Sequence, residues 1–279
     1  MKSFILLFQC NDAKGIVAGI SAFILKFDGN IVTADQHSTD PEGGHFFMRV
    51  EFIIDDTRHS LKDLKDDFLP IVRKFNATAD IYNKHQLLNM GILVSKADHC
   101  LIDLLYLWRS KELLVNIPFV ISNCNQHRDL VEQFKIPFYF MPAKKDNKME
   151  EQILKIAAET DFLVLARYMQ VLTPGFLKSY NKDIINIHHG FLPSFKGSDP
   201  YRQALEGGVK VIGSTAHFVN ENLDEGPIIS QAVEYVTHKD DLENLLSKGR
   251  NLEKKALSDA IRSYIDYRII KYGNKTIVF

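Results

Sequence analysis

The 279-residue sequence is poor in cysteine and has almost no net charge. Its three cysteines, Cys10, Cys100 and Cys124, form an odd set without CxxC spacing, which argues against a secreted disulfide framework or a cysteine zinc site. They favour a reducing compartment, and we expect the cytoplasm. The formal net charge is −1, and lysine and arginine are spread along the chain without a basic run. Neither nucleic acid nor a membrane surface is therefore expected as a partner.

Long apolar runs are also absent. The N-terminal stretch "MKSFILLFQCND" contains a short apolar run, but it reaches Gln9 and Asp12 too early for a secretion signal and lacks a small-residue cleavage site. No later run approaches the length of a membrane span. What the sequence does have is 46% apolar residues, over a length sufficient for one large or two ordinary domains.

Residues 1–84 have the pattern of a small domain with two helices. A strand at 3–10 is followed by apolar residues at helical spacing. Two further strands flank the turn "DPEGG", and Ser60, with Asp63 three residues later, predicts the start of a second helix. The strand "ATADIY" completes a βαββαβ order, which predicts a ferredoxin-like domain with antiparallel pairing.

From Gln86 onward, strands alternate with helices, which predicts a doubly wound, mostly parallel α/β domain over residues 85–279. The stretch "DFLVLA" is nearly all apolar, as expected for a strand that is covered on both faces. Residues 242–264 have the apolar spacing of a long helix, in which Gly249 marks a potential break. We expect the domain boundary at residues 83–86.

The stretch "NIHHGFLPSFKG", which begins at Asn186, places an amide and two imidazoles at the end of an apolar strand. Side chains alternate along a strand, so Asn186 and His188 should lie on one side and His189 on the other. Ligands of open α/β sheets bind at the carboxyl ends of the strands, and an amide and an imidazolium can both donate hydrogen bonds to a developing oxyanion. The plainer interpretation is a pair of satisfied polar groups at a strand end. No metal site is expected, because His188 and His189 face opposite sides and no HExxH or CxxC accompanies them.

A second polar group lies in "GSTAHFVNENLDEGPIISQ". Strands at 209–219 and 228–236 should form a hairpin around a turn that contains Asp224, which could serve only as a turn former. If the turn folds over the strand end, Asp224 can instead orient a water molecule and take its proton. Such a set suits attack on a carbonyl carbon by water or an amine. Ser194 and Ser198 lack the GxSxG arrangement of an acyl-enzyme nucleophile.

These motifs carry a resemblance to known families. The stretches "LARYMQVL", "INIHHGFLPSFKG" and "HFVNENLDEGPI" resemble the catalytic domain of folate-dependent formyltransferases. The N-terminal unit, with "NDAKGIV" and "DPEGGHFFMRVEF", resembles an ACT domain. Together with "SKADHCL", "IPFVISN" and "YGNKTIVF", the chain is similar to the formyltetrahydrofolate deformylase family along essentially its entire length.

The resemblance implies hydrolysis of 10-formyltetrahydrofolate to formate and tetrahydrofolate, which supplies formate to purine synthesis and balances the one-carbon folate pool. It implies that Asn186, His188 and Asp224 are catalytic. Folate is then a substrate, and no separate cofactor is expected. The implied substrate contacts are Met169, Gln170, Val171, Val219 and Asn220, with His217 in a supporting role. The ACT-like domain implies a homo-oligomer, a dimer or tetramer, and an amino-acid effector near Asp12 and Gly15.

The sequence departs from this family at two places. Gly190 stands where the family usually has serine after the paired histidines, which removes a hydroxyl group from the loop. Ser198 and Asp199 stand where relatives more often have an alanine and a basic residue. Both departures concern substrate-tail contacts and the level of activity.

Two alternative functions are open at this point. A glycinamide ribonucleotide formyltransferase shares the three catalytic residue types but must also hold its acceptor's phosphate. The corresponding stretch, "VSKADHCL", has Lys96, but it lacks glycines and places Asp98 at a helix start as an expected N-cap, where a carboxylate repels phosphate. The other alternative, from a different class, is a non-catalytic amino-acid sensor.

Overall fold

The computed structural model describes residues 2–40, 42–55, 59–142, 149–194 and 199–279. The chain divides into two units, Met1–Gln86 with Asp266–Tyr272 and Ile277–Phe279, and Leu87–Ile265 with Gly273–Thr276. The expected division after residue 84 lies next to the first boundary. The sequence pattern predicts that the whole C-terminal segment belongs to the second domain, whereas the structure divides it between the two units.

The first unit is built on a four-stranded antiparallel sheet with the order β2-β3-β1-β4. Two helices connect its strands in the order β-α-β-β-α-β, which is the predicted ferredoxin-like fold. The elements are β1 (Lys2–Asn11), α1 (Ile16–Lys26), β2 (Asn30–Ser38), β3 (His45–Ile54), α2 (Leu61–Phe75) and β4 (Thr78–Asn83).

The core of this unit follows from alternation along β1. Every second residue faces the helices and is fully buried, namely Phe4, Leu6, Phe8 and Cys10. Phe8 meets Phe68 of α2 edge to face, with ring centroids 6.2 Å apart. The predicted start of α2 is confirmed as a capping box, since Ser60 Oγ accepts from the Asp63 amide at 3.2 Å and the Asp63 carboxylate accepts from the Ser60 amide at 2.8 Å.

The second unit contains a seven-stranded sheet with the order β11-β10-β9-β8-β5-β6-β7. Strands β5 to β9 are parallel, whereas β10 runs antiparallel to both of its neighbours. Residues of β5 and β8 are buried throughout, which confirms a sheet covered on both faces. The strands are β5 (Met90–Val94), β6 (Val120–Ser122), β7 (Phe138–Phe140), β8 (Phe162–Ala166), β9 (Asp183–His188), β10 (Val211–Phe218) and β11 (Ile228–Tyr235).

The helices of this unit are α3 (His99–Arg109), α4 (Arg128–Gln133), α5 (Glu150–Ala157), α6 (Pro174–Tyr180), α7 (Pro200–Glu206) and α8 (Leu242–Ile265). A hairpin of β12 (Ile269–Tyr272) and β13 (Lys275–Val278), which the sequence patterns did not predict, follows α8. Among the helices in the described ranges, none combines the length and apolarity needed to cross a bilayer.

The expected break near Gly249 is wrong. Helix α8 continues through this position over 24 residues. A Cβ atom at position 249 would lie 2.1 Å from Tyr201 Cζ, so glycine is needed there for the close approach of α7 to α8. Glycine lowers helix propensity by about 1 kcal/mol relative to alanine, and the packing of α8 compensates for this loss.

Candidate active site

A cavity of about 260 Å³ lies in the second unit, at the carboxyl ends of β8 and β9. Three chain segments contribute lining residues, 165–172 at and beyond the end of β8, 186–189 at the end of β9, and 217–224 at the end of β10 and in the turn that follows it. All nine expected catalytic and substrate residues are among its lining residues, namely Met169, Gln170, Val171, Asn186, His188, His217, Val219, Asn220 and Asp224. The position fits the rule that ligands of open α/β sheets bind beyond the carboxyl ends of the strands.

The sheet register fixes Asn186 at the centre of this site. Asn186 pairs with Leu165 of β8 on one side and with His217 of β10 on the other. His188 follows two residues later at the end of β9, where its side chain is 4% exposed. Strand alternation therefore brings the amide and the imidazole to one cavity. His189 also lines the cavity, although alternation predicted that it faces the other side.

The β10–β11 turn folds over the strand end and brings Asp224 to the histidines. Asp224 Oδ2 lies 3.2 Å from His188 Nδ1, and Oδ1 lies 3.7 Å from His217 Nε2. The turn closes tightly at Gly226, where a Cβ atom would lie 1.7 Å from the carbonyl oxygen of Phe218. A residue with a side chain would push the turn away from β10.

The carboxyl group of Asp224 is ionised in this arrangement. Burial raises its pKa, but hydrogen bonds and positive charge from His188 and His217 outweigh burial and hold the pKa well below its usual range. A carboxylate with a low pKa is a weak proton acceptor while its partners are charged. Its immediate role in this geometry is to hold two imidazole rings.

The hydrogen bonds of His217 define the orientation of Asn186. His217 Nδ1 lies 2.9 Å from the carbonyl oxygen of Phe218, so Nδ1 carries a proton. Nε2 lies 3.2 Å from Asn186 Nδ2 and 3.7 Å from Asp224 Oδ1. In the protonated ring it donates to Asp224, whereas in the neutral ring it accepts one amide hydrogen of Asn186. The second amide hydrogen of Asn186 is left for donation to a ligand.

The outer nitrogen of His188 is also available. Nδ1 faces Asp224, whereas Nε2 is buried and has no hydrogen-bond partner in the part of the chain that the structure describes. Buried polar atoms are nearly always hydrogen-bonded in native proteins. Nε2 is therefore the atom of this ring that a bound substrate would satisfy.

The segment after β8 is held at both ends. The Met169 amide donates to Ser95 Oγ at 2.9 Å, and the Thr173 amide donates to Glu150 Oε1 at 3.0 Å. Between these anchors, the side chains of Met169 and Val171 are each 54% exposed. An anchored main chain flanked by exposed apolar side chains is a suitable wall for a flat heterocyclic ring.

Two site residues were missed by the sequence analysis, Arg167 and Glu253. Arg167 follows β8, lines the cavity and adopts a φ of 64°. Glu253 in α8 is 2% exposed; its Oε1 accepts from Tyr201 OH at 3.0 Å, and its Oε2 lies 2.8 Å from His99 Nε2 and 3.4 Å from Arg167 Nε. Burial raises the pKa of Glu253, but His99 and Arg167 lower it more, so the carboxylate is ionised. The signal in the sequence is an acidic residue inside the apolar stripe of α8.

Within the described residues, the group of donors with metal-ligand spacing is His99, Cys100 and Glu253, whose ligand atoms lie within 4.8 Å of one another. Burial raises the pKa of the Cys100 thiol well above its usual value, which disfavours the thiolate form that metals bind. The Glu253 carboxylate is already bonded and faces the Arg167 guanidinium. The arrangement favours a hydrogen-bonded cluster over a bound cation.

The other described residues that the sequence singled out are not among those that line the cavity. Asp12 Oδ2 accepts from Ser38 Oγ at 2.7 Å, and Gly15 has a φ of 90° at the start of α1. Gly190 contributes its carbonyl oxygen, which accepts from Thr215 Oγ1 at 2.9 Å. Asp199 pairs with Arg202 at the surface, and Ser198 lies outside the described residues.

Comparison with known proteins identifies the class to which this fold and site belong. A family model described as formyl transferase matches residues 88–261, which include every residue that lines the cavity. The formyltetrahydrofolate deformylase of Bacillus subtilis (strain 168) is 43% identical over 278 residues, covering 98% of this chain and 93% of the relative. The chain belongs to the formyltetrahydrofolate deformylase family, a family of hydrolases.

Solved structures agree with this assignment. The crystal structure of a formyltetrahydrofolate deformylase from Pseudomonas syringae pv. tomato is similar with a TM-score of 0.95 and 41% identity, covering 100% of this chain and 95% of that one. The phosphoribosylglycinamide formyltransferase from Anaplasma phagocytophilum is similar with a TM-score of 0.64 and 31% identity. It covers 69% of this chain and 95% of its own. The similarity to this transferase is thus partial.

Proposed function

We propose that this protein hydrolyses 10-formyltetrahydrofolate to formate and tetrahydrofolate, with Asn186, His188 and Asp224 as its catalytic side chains. The observation that carries the proposal is that these side chains, two from β9 and one from a distant turn, surround one cavity. Membership of the deformylase family supports the substrate. The anchored segment after β8, with Met169, Gln170 and Val171, is proposed to hold the pterin, together with Val219 and Asn220.

The geometry supports an assignment of the groups that donate and accept protons during this reaction. The free amide hydrogen of Asn186 and a proton on His188 Nε2 are donated to the formyl oxygen, where negative charge develops as water adds to the carbon. The ionised Asp224 neutralises the imidazolium from its other side. In the adduct, His188 gives its proton to N10 and Asp224 takes a proton from the added water oxygen. The carbonyl group then re-forms and the bond from carbon to N10 breaks.

Asp224 becomes a competent base at this step. Before the reaction, the protonated His188 beside it contributes to its low pKa. When His188 transfers its proton to N10, that cause is removed and the carboxylate can accept the proton of the attacking water. Return of this proton to His188 restores the site, and the formic acid that is formed ionises to formate.

The transferase alternative has less support. Asp98 occupies the N-cap position of α3, yet its side chain makes no capping hydrogen bond, contrary to the expectation from the sequence. A carboxylate at that helix start still disfavours a phosphate group. A water acceptor requires no phosphate cradle. A non-catalytic sensor would not explain why Asn186, His188 and Asp224 line one cavity.

The N-terminal unit is proposed to act as an ACT domain that binds an amino acid near Asp12 and Gly15 and assembles the chain into a dimer or tetramer. Its βαββαβ topology supports this role, and β2 forms a sheet edge with mostly exposed side chains. The free thiols of Cys10, Cys100 and Cys124 support a location in the cytoplasm. Formate released there would supply purine synthesis and balance the folate pool.

The test is to incubate the pure protein with 10-formyltetrahydrofolate in buffer without an amine and to measure formate. We expect release by the wild type, and a fall of about 10²- to 10⁴-fold for Asn186→Ala, His188→Ala and Asp224→Asn, typical of lost oxyanion or acid-base assistance. The exposed Asp129→Asn variant is the matched control. Formation of an N-formylated ribonucleotide in place of formate, once an amine ribonucleotide is added, would identify a transferase. A near-normal rate for Asp224→Asn would remove Asp224 from the mechanism.

A further inference from the structure

Arg167 brings to the cavity a cationic group that the proposed reaction has not yet used. It directly follows β8 and lines the same cavity as Asn186 and His188. Its Nε and Nη1 atoms are buried and neither makes a hydrogen bond among the described residues, although Nε faces the Glu253 carboxylate at 3.4 Å. A buried charged donor without an acceptor costs stability, and a ligand that supplies the acceptor removes that cost.

The guanidinium group is held in place from behind. The left-handed φ of 64° is one that L residues seldom adopt, and the carbonyl oxygen of Arg167 accepts from the Ser95 amide at 3.1 Å. Glu253 Oε2 lies 3.4 Å from Nε, and His99 and Tyr201 hold that carboxylate in turn. Glu253 is therefore a positioning residue for Arg167, and it leaves the Nη1 side for a ligand.

Hydrolysis changes the charge inside this cavity. A neutral formyl group enters, and a formate anion is produced beside Asp224, which is already ionised. Two carboxylates in one enclosed site repel each other unless a cation lies nearby. A guanidinium edge matches the two oxygens of a carboxylate in both spacing and charge.

We propose that Arg167 forms a subsite for a small carboxylate, and that it receives the formate product. This inference rests on the proposed hydrolysis for the identity of the carboxylate. The partial neutralisation of Arg167 by Glu253 keeps the affinity moderate, so that formate can leave after each turnover. The subsite is thus expected to bind formate in the absence of folate.

The first measurement is binding of ¹³C-formate alone to the intact protein, followed by NMR line broadening. We expect Arg167→Gln to weaken formate binding by about tenfold or more, as for a lost charge-assisted hydrogen bond, and Arg167→Lys to have an intermediate effect. The matched control is Arg128→Gln, since Arg128 pairs with Glu132 at the surface of α4. Equal formate affinity in the Arg167→Gln and Arg128→Gln proteins would overturn the subsite.

The second measurement does not depend on whether the variants fold. Formamide has nearly the shape of formate but no charge, so wild-type protein should bind formate about tenfold or more tightly than formamide if a charge-assisted bond is made. Equal binding of the two would overturn the proposal.

Turnover separates this inference from the proposed function. Wild-type protein that releases formate from 10-formyltetrahydrofolate, yet binds formate no better than formamide, would refute the subsite alone. Protein that binds formate through Arg167 but releases none from the folate would refute the proposed hydrolysis and retain the carboxylate subsite.

Discussion

Two ionised carboxylates, Asp224 and Glu253, define the site at the scale of single residues. Each is held by groups from elements far apart in the chain, Asp224 by His188 and His217 and Glu253 by a cluster that includes Arg167. In both, burial raises the pKa, and donors and positive charge lower it further than burial raises it. Such a carboxylate stabilises the fold only while it is charged.

The variant Glu253→Gln tests this balance. At about pH 7 we expect a loss of about 3 kcal/mol of unfolding free energy, because Arg167 is left without its charge partner in a buried site. The folded-state pKa of Glu253 is lowered, so the advantage of the wild type is complete above the unfolded-state pKa and is lost as pH falls through the lower folded value.

The measurement is urea unfolding followed by fluorescence of Trp108, the single tryptophan, which lies in the second unit. The exposed Glu151→Gln variant is the control and should show little change at any pH. A difference between wild type and Glu253→Gln that does not shrink between about pH 7 and about pH 3 would contradict the ionised assignment.

The sequence led to Asn186, His188 and Asp224 because strand alternation and turn residues leave local patterns. The structure brings these side chains to one cavity, and their catalytic roles stay predictions. Arg167 and Glu253 could not be found in this way, since their contact joins the end of β8 to the middle of α8. Ion pairs between distant segments leave no periodic trace in a sequence.

At the scale of elements, the alternation of strands and helices predicted both sheets, and the capping box predicted the start of α2. Helix α8 shows where pattern reasoning fails. Glycine inside a helical pattern usually weakens it, and the sequence alone cannot show that Tyr201 packs against position 249. The close packing of α7 against α8 is the reason that position 249 requires glycine.

Two glycine-to-alanine variants separate propensity from packing. Gly249→Ala places a methyl group against Tyr201, which is 4% exposed and bonded to Glu253, so overpacking of about 1–3 kcal/mol should exceed the gain in helix propensity. Gly19→Ala in α1 meets Phe75 at an ordinary 3.7 Å and should gain about 0.5–1 kcal/mol. Thermal unfolding by circular dichroism measures both. Equal stabilisation by the two substitutions would show that Tyr201 does not restrict position 249.

At the scale of the whole molecule, the two α/β units were expected from the order of elements, but the C-terminal hairpin was not. Strand β12 and the residues just before it group with the N-terminal unit. There the rings of Tyr267 and Tyr82 stack with their centroids 4.1 Å apart, and the Tyr267 carbonyl oxygen accepts from Arg49 Nε at 3.0 Å. Short strands that complete a distant unit have too little periodicity to be assigned from sequence.

Removal of residues 1–84 tests the division of labour between the units. All described residues that line the cavity belong to the second unit, so a folded truncated chain should still release formate, with turnover reduced by no more than about tenfold. Gel filtration and amino-acid titration of both proteins measure assembly and regulation. A truncated protein with native Trp108 fluorescence but no formate release would show that the first unit is needed for chemistry. Unchanged oligomer size and amino-acid response would contradict the regulatory role.

Gly226 gives the turn that carries Asp224 an unusual vulnerability. One added carbon atom at this position would collide with the Phe218 carbonyl and displace the carboxylate, although every polar atom of the site would remain in the chain. We expect a homologue with alanine at position 226 to retain the asparagine, histidine and aspartate of the site and yet to lack activity. A sequence-based search for active members of this family therefore has to check for glycine at the position of Gly226 as well as for the three polar side chains.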